Sequence, residues 1–209
     1  MNKTPGLLAL LLLAGCSIVG GSREPITIYA PDSQVAADPA WPQADWQLTI
    51  GQPTAGRMVD SVRIAVRPVP GELQVYKGAI WAKGPDLQLQ DALLRTLEDS
   101  GRIAGVARQG SGLAADYRLE LDLRRYDADY TGASTPAATI EVNAKLLHSG
   151  DREIVASRTF KQATPAASPD IADVSQAFGQ ALGTVTHDIA GWILESGVEH
   201  QRSEKSRTP

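Results

Sequence analysis

Alternation of apolar and polar side chains predicts several β-strands in this chain, because successive residues of a strand point to opposite faces. Such segments occupy residues 25–30, 46–50, 62–67, 72–76 and 79–82. In the segment 62–67 the apolar residues share one face, whereas Arg63 and Arg67 share the other. The last two segments are short and follow a proline-rich stop, so we expect them to be edge strands.

The strongest sheet pattern runs from Asp116 to Tyr130. Its apolar positions shift by one residue near Arg124 and Arg125, which predicts a β-bulge there. Residues 140–146 and 154–160 alternate in the same way and are separated by turn-forming residues. The three segments together predict an antiparallel meander.

Two segments carry apolar residues at intervals of three and four, which predicts α-helices. The first begins at Pro85 and ends before Gly101. The second and longer one opens at Ser168 and Pro169 and is expected to stop at Gly197. The pattern predicts an α+β fold, with a mostly antiparallel sheet and two main helices packed against it, the longer one C-terminal.

The first sixteen residues have the pattern of a bacterial lipoprotein signal. One lysine precedes an apolar run over residues 7–13, which is too short to span a bilayer as a helix. The run leads into Leu13-Ala14-Gly15-Cys16, which matches the lipobox, and Cys16 is the only cysteine of the chain. We therefore expect Cys16 to carry a diacylglycerol and an N-acyl chain as the only attached groups, with no other cofactor.

These patterns divide the chain into four parts. We expect residues 1–15 to be the signal peptide and residues 16–24 to be the lipidated cysteine with a tether. Residues 25–197 form the domain, and residues 198–209 are expected to be a polar, disordered tail. An aspartate at position 17 would retain a lipoprotein in the inner membrane, but this chain has Ser17. We therefore expect the protein to be anchored at the periplasmic face of the outer membrane.

Charge and histidine placement argue against several functions. A net charge of −4 without a basic stripe argues against nucleic acid as a partner. His148 falls in a predicted turn, His187 on the long helix and His200 in the tail, without metal-ligand spacing. We therefore expect no enzyme and no metal site. A hydrolase would need these histidines to lie beside acidic partners and a nucleophile.

Two groups of residues have more than one interpretation. Asp122 and Asp127 are expected on solvent-facing positions, where neighbouring arginines neutralise them, rather than in a cation site. The tryptophans Trp41, Trp46 and Trp81 belong either to a partner surface or to the core, and their spacing does not decide between these.

Several segments, taken in order, resemble the ABC-type transport auxiliary lipoprotein family, which includes paraquat-inducible protein C-like lipoproteins of MCE (mammalian cell entry) lipid-transport systems. Besides the lipobox and the C-terminal helix, they are ITIYAP (26–31), VRIAVRPVPGELQVYKGAIWAK (62–83), DLQLQDALLRTLEDSG (86–101), ADYRLELDLRRYDADY (115–130) and ATIEVNAKLL (138–147).

The resemblance implies a non-enzymatic auxiliary component that docks an MCE-domain periplasmic protein at the outer membrane, and it implies assembly into a homo-oligomeric ring. Of the family's functional positions, only Cys16 carries over. Arg63, Arg67 and Trp81 are candidates for contact with a partner or a second copy. The alternative is a periplasmic lipid carrier, which would require an apolar cavity of its own.

Overall fold

The computed structural model describes residues 25–33, 35–59 and 61–207. Two helices in this part of the chain are α1 (Pro85–Ser100) and α2 (Ile171–Arg207). The strands are β1 (Thr27–Tyr29), β2 (Ala44–Ile50), β3 (Thr54–Ala55), β4 (Arg63–Arg67), β5 (Gln74–Trp81), β6 (Ile103–Arg108), β7 (Tyr117–Asp129), β8 (Ala137–His148) and β9 (Ile154–Pro165). The predicted α+β fold, with the longer helix C-terminal, is confirmed.

Strand β7 organises a single mixed sheet that is mostly antiparallel. One edge of β7 pairs antiparallel with β8, which pairs with β9, and this is the predicted meander. The other edge is shared by β2, β3 and β4, which each run parallel to a different part of β7. Beyond them β6 joins β2, and β5 and then β1 join β4. The sheet therefore forks into two branches on that side of β7.

The predicted β-bulge in β7 is confirmed. Leu123 pairs with Val142, but the next pair is Arg125 with Glu141, so Arg124 is the extra residue. The bulge rotates the strand by one position, and Leu123 and Tyr126 both point into the core as a result.

The core lies between the inner face of the sheet and the two helices. An apolar stripe of α2 lies against β8 and β9, and α1 packs beside α2. At one end of this core the Phe178 ring stacks on Tyr126 at 4.7 Å between centroids and meets Trp81 edge-on at 5.2 Å. Burial of these aromatic rings joins the helix to β7 and to the branch of the sheet that contains β5.

Helix α2 differs from its prediction at the C-terminal end. It does not stop at Gly197 but continues to Arg207, so the disordered tail predicted from residue 198 is wrong for residues 198–207. Gly197 is buried against the indole of Trp46, where any side chain would overlap the ring. Its role is therefore close packing inside the helix rather than helix termination.

Two tryptophans anchor the N-terminal segment 41–46, which leads into β2, to helix α2. A Cβ at Gly191 would lie 2.7 Å from Nε1 of Trp41, and Gly197 is packed in the same way on Trp46. Both rings are buried, and so is Trp81, which is 1% exposed. The core interpretation of the three tryptophans is therefore correct, and the assignment of Trp81 to a partner surface is wrong because β5 points it inward.

Candidate functional site

The lipidation site predicted at Cys16 lies outside the described residues. The described chain starts at Pro25, nine residues after Cys16, and enters β1 almost immediately. The part of the domain that follows the tether in sequence is therefore β1 with its neighbours β5 and β4. Contacts made there would be close to any membrane that holds Cys16.

Apolar side chains are exposed at this end of the domain. Ile26 is 62% exposed and Ile28 is 63% exposed. Ile28 lies opposite Ile80 of β5, and Ile80 lies opposite Arg63 of β4, so the three side chains share one face of the sheet. We call Ile26, Ile28, Ile80 and Arg63 the β1 patch. Isolated exposed isoleucines are ordinary, but apolar residues clustered beside a cation are typical of contact surfaces.

The two arginines named by the sequence have different environments. Arg63 is exposed, and its guanidinium forms no ion pair with any residue in the described ranges. Arg67 instead donates to Asp127, with 3.2 Å between a guanidinium nitrogen and Oδ2. Arg63 is therefore not ion-paired within the described part of the chain, whereas Arg67 is occupied by an internal contact. The short strands predicted over residues 72–82 are one strand, β5, whose end is covered by β1.

Asp127 is the centre of a small ionic network on the outer face of β7. Arg125 donates to Asp127 at 2.6 Å and to Asp129 at 2.7 Å. Asp127 is 2% exposed, so the prediction that it faces solvent is wrong. Its neutralisation by neighbouring arginines is confirmed, as is that of Asp122, which accepts from Arg124 at 3.1 Å. The acidic residues of β7 are therefore ion-paired rather than arranged around a cation.

Asp129 gives this network a measurable pH dependence. Burial alone would raise its pKa, but bonds from Arg125 and Thr131 outweigh burial and lower the pKa below the ordinary 3.8. A lowered folded-state pKa contributes stability that is present above pH 3.8 and is lost as pH falls through the folded value. We expect Asp129→Asn to be less stable than the wild type at pH 7 and to lose less stability on acidification.

Urea denaturation at pH 7 and at steps below pH 4 measures this difference, and Asp122→Asn on the same strand, whose carboxylate is more exposed, serves as the control. Equal acid sensitivity of Asp129→Asn and wild type would contradict the assignment.

Two of the three histidines come together, contrary to the sequence-based expectation. The rings of His148 and His200 lie 5.2 Å apart, although 51 residues separate them in the chain. His187 lies elsewhere, packed on Trp41 beside Asp38 and Asp188. Sequence spacing contains no signal for the His148–His200 pair, because it depends on α2 continuing past Gly197.

The hydrogen bonds of the histidine pair can be compared with those of a hydrolase site. Within the described ranges, the only side-chain hydroxyl that hydrogen-bonds an imidazole is that of Tyr117, at 3.0 Å from His200 Nδ1. Burial and nearby carboxylates raise the pKa of Tyr117 to about 12, so its hydroxyl stays protonated at neutral pH. This geometry does not resemble a nucleophile–base pair.

A groove of about 940 Å³ runs between α2 and the segments 30–32 and 35–36. Small and polar side chains contribute much of its lining, among them Ala36, Gly179, Gln180 and Thr184. The groove is open to solvent, whereas a lipid carrier encloses its ligand in an apolar cavity. The groove therefore gives no support to the carrier alternative.

Neither helix of the described chain is long and apolar enough to cross a membrane.

Comparison with known proteins identifies the class. The model of the ABC-type transport auxiliary lipoprotein component family matches residues 27–190. The fold is similar to that of protein XCC0632 from Xanthomonas campestris, a DUF330 protein, with 53% sequence identity and a TM-score of 0.82. That match covers 84% of this chain and 99% of the other. The chain belongs to the ABC-type transport auxiliary lipoprotein family.

More distant structures share the fold alone. An uncharacterized protein is 17% identical with a TM-score of 0.63, covering 81% of this chain and 99% of its own. The hypothetical protein CT253 from Chlamydia trachomatis is 8% identical with a TM-score of 0.53. That match covers 74% of this chain and 98% of the other. A search of curated proteins gives no significant match. Membership of the family makes this chain a lipoprotein component associated with an ABC transport system.

Proposed function

We propose that this protein is a non-enzymatic outer-membrane lipoprotein that docks the periplasmic MCE-domain protein of an ABC transport system, which moves lipids or organic compounds across the periplasm. The observation that carries the proposal is the family match over residues 27–190 behind a lipobox that ends at Cys16. In this proposal the protein positions the partner, and the transporter supplies the energy.

The tether limits where docking takes place. Residues 16–24 reach at most about 30 Å when fully extended. Two or more acyl chains on Cys16 hold a protein stably in a bilayer, because each buried CH₂ adds about 0.8 kcal/mol. The β1 patch, which follows the tether directly, therefore stays close to the membrane surface. A partner that spans the periplasm would meet the patch at the end of its path.

The β1 patch supplies the chemistry for docking. Ile26 and Ile28 offer apolar area that water covers in the free protein, and Arg63 adds a positive charge that no residue described by the structure pairs with. Interfaces commonly combine buried apolar residues with arginine, so the patch suits an apolar surface that carries an acidic group. We also propose that the protein assembles into a homo-oligomeric ring, which would repeat the patch around one opening.

Binding of the MCE-domain protein tests this function. The lipidated protein, reconstituted in vesicles, is expected to retain the periplasmic MCE-domain protein of its own system, and failure to retain it would contradict the proposed function. Ile28→Asp is expected to weaken binding about tenfold or more, which corresponds to about 1.4 kcal/mol, because it places a charge in the patch.

Ile154→Asp is the matched control, because Ile154 is 55% exposed but lies on β9, away from the β1 patch. Thermal melts of both variants check that the fold is intact. Equal binding by the wild type and Ile28→Asp would exclude the patch as the docking surface while leaving the docking function itself in place.

A further inference from the structure

A cluster of metal-ligating side chains lies where the end of α2 meets the turn between β8 and β9. His148 is the last residue of β8 and Asp151 lies in the turn, whereas His200 and Glu204 come from the last turns of α2. The candidate ligand atoms of His148, Asp151 and Glu204 all lie within 4.8 Å of one another. These three residues are brought together from two distant parts of the chain.

Packing holds the imidazole rings in place. The Tyr117 ring packs against both imidazole rings. The distance between ring centroids is 5.6 Å to His148 and 5.8 Å to His200. The Tyr117 hydroxyl also lies 3.0 Å from Nδ1 of His200. On the other side, a Cβ at Gly150 would come within 2.9 Å of Cε1 of His148. The His148 ring is therefore packed between Tyr117 and the turn, and the Tyr117 hydroxyl limits the position of the His200 ring.

The electrostatic environment favours a cation. Nδ1 of His148 lies 3.1 Å from Oδ1 of Asp151, and Nδ1 of His200 lies 3.8 Å from Oε2 of Glu204. Nδ1 of His148 is shielded from solvent and forms no hydrogen bond of good geometry. The carboxyl groups of Asp151 and Glu204 therefore lie directly beside the two imidazole rings.

One imidazole and two carboxyl groups therefore meet at one point, where the turn between β8 and β9 faces the end of α2. A mixed nitrogen and oxygen donor set of this kind suits a divalent transition metal.

We propose that His148, Asp151 and Glu204 bind one Zn²⁺ ion, with His200 beside them as a further nitrogen donor. Mixed imidazole and carboxylate ligands are typical of zinc sites, whereas Mg²⁺ and Ca²⁺ prefer oxygen ligands alone. The ion would join the end of α2 to the β8–β9 turn. The part of α2 that would hold the ion belongs to the ten residues by which the helix continues beyond Gly197.

Zinc titration of the full-length protein, purified in detergent and stripped of metal with a chelator, tests the proposal. We expect isothermal titration calorimetry to show one Zn²⁺ per chain and the melting temperature to rise with zinc concentration. At a free zinc concentration about 100 times Kd, the folding equilibrium constant should increase about 100-fold. Mg²⁺ at the same concentration should leave the melting temperature unchanged.

Variants connect the binding to these residues. Glu204→Gln and His148→Gln are each expected to weaken zinc binding by roughly tenfold or more, since loss of even an outer-shell partner costs about 10–100-fold. Glu204 lies near the end of α2, so its replacement keeps the test valid even if His148→Gln folds poorly. His187→Gln is the matched control, because His187 also lies beside two carboxylates, those of Asp38 and Asp188, but outside this cluster.

Three results would overturn the proposal. The first is the absence of zinc binding to the wild type, in which case the cluster is only a pair of histidine–carboxylate contacts. The second is unchanged affinity in Glu204→Gln and His148→Gln. The third is an equal loss of affinity in His187→Gln, which would indicate nonspecific binding to surface histidines.

Discussion

Replacement of Trp46 by alanine is expected to destabilise the domain by about 3–5 kcal/mol, the usual cost of removing a large buried aromatic side chain. Trp46 is 1% exposed, meets the Tyr117 ring edge-on at 4.8 Å, and packs on Gly197. A domain of ordinary stability has only about 5–15 kcal/mol in total, so this single change would remove a large share of it. Urea denaturation measures this loss of stability when it is monitored by far-UV circular dichroism, a backbone signal that remains after the tryptophan is removed.

A double-mutant cycle with Gly197→Ala shows whether the close packing seen in the structure is the cause. In a helix free of clashes, glycine to alanine stabilises by about 0.5–1 kcal/mol. Here the added methyl group would overlap the buried indole of Trp46, so we expect a loss of about 1–3 kcal/mol instead. In the Trp46→Ala background the space is free, and the same change is expected to become stabilising. This reversal of sign is the specific outcome of direct contact.

Trp192→Ala provides the control for the size of the effect. Trp192 lies on α2 and is only partly buried, against Phe160, so its removal is expected to cost less than that of Trp46. Additive effects of Trp46→Ala and Gly197→Ala would contradict the contact between the N-terminal segment and α2. If Trp192→Ala lowered the free energy of unfolding as much as Trp46→Ala, the effect could not be explained by the deeper burial of Trp46.

Replacement of Cys16 by serine is expected to move the protein from the membrane fraction to the soluble periplasmic fraction. A serine hydroxyl does not take the thioether-linked diacylglycerol, so the acyl chains that hold the protein in a bilayer are lost. Cell fractionation and incorporation of labelled palmitate measure the two consequences separately. The melting temperature is expected to stay the same, because the described core is formed by residues between Trp41 and Leu194.

Ser17→Asp separates anchoring from sorting. We expect this variant to remain palmitate-labelled but to fractionate with the inner membrane, whereas Ser17→Ala should behave like the wild type. Palmitate labelling of Cys16→Ser, or its firm retention in the membrane, would contradict lipidation at Cys16. An inner-membrane location of the wild type would contradict the proposed outer-membrane docking without affecting lipidation.

The sequence by itself determined the elements whose side chains follow a local period. The meander of β7, β8 and β9 and the bulge at Arg124 could be predicted, because alternation and its one-residue shift are properties of neighbouring residues. The two helices could be predicted for the same reason. The family resemblance was also visible in the order of these segments, and the match over residues 27–190 confirms it.

Only the tertiary structure decided how deeply a residue is buried and which distant residues meet. Trp81 is buried because Phe178 and Tyr126 close over it, and Asp127 is buried because Arg67 reaches it from another strand. Gly197 has the local pattern of a helix stop, but it lies inside α2 because its lack of a side chain admits Trp46. That packing is compatible with a helix that continues to His200 and places it beside His148. Contacts of this kind depend on residues far apart in the chain, which no local period records.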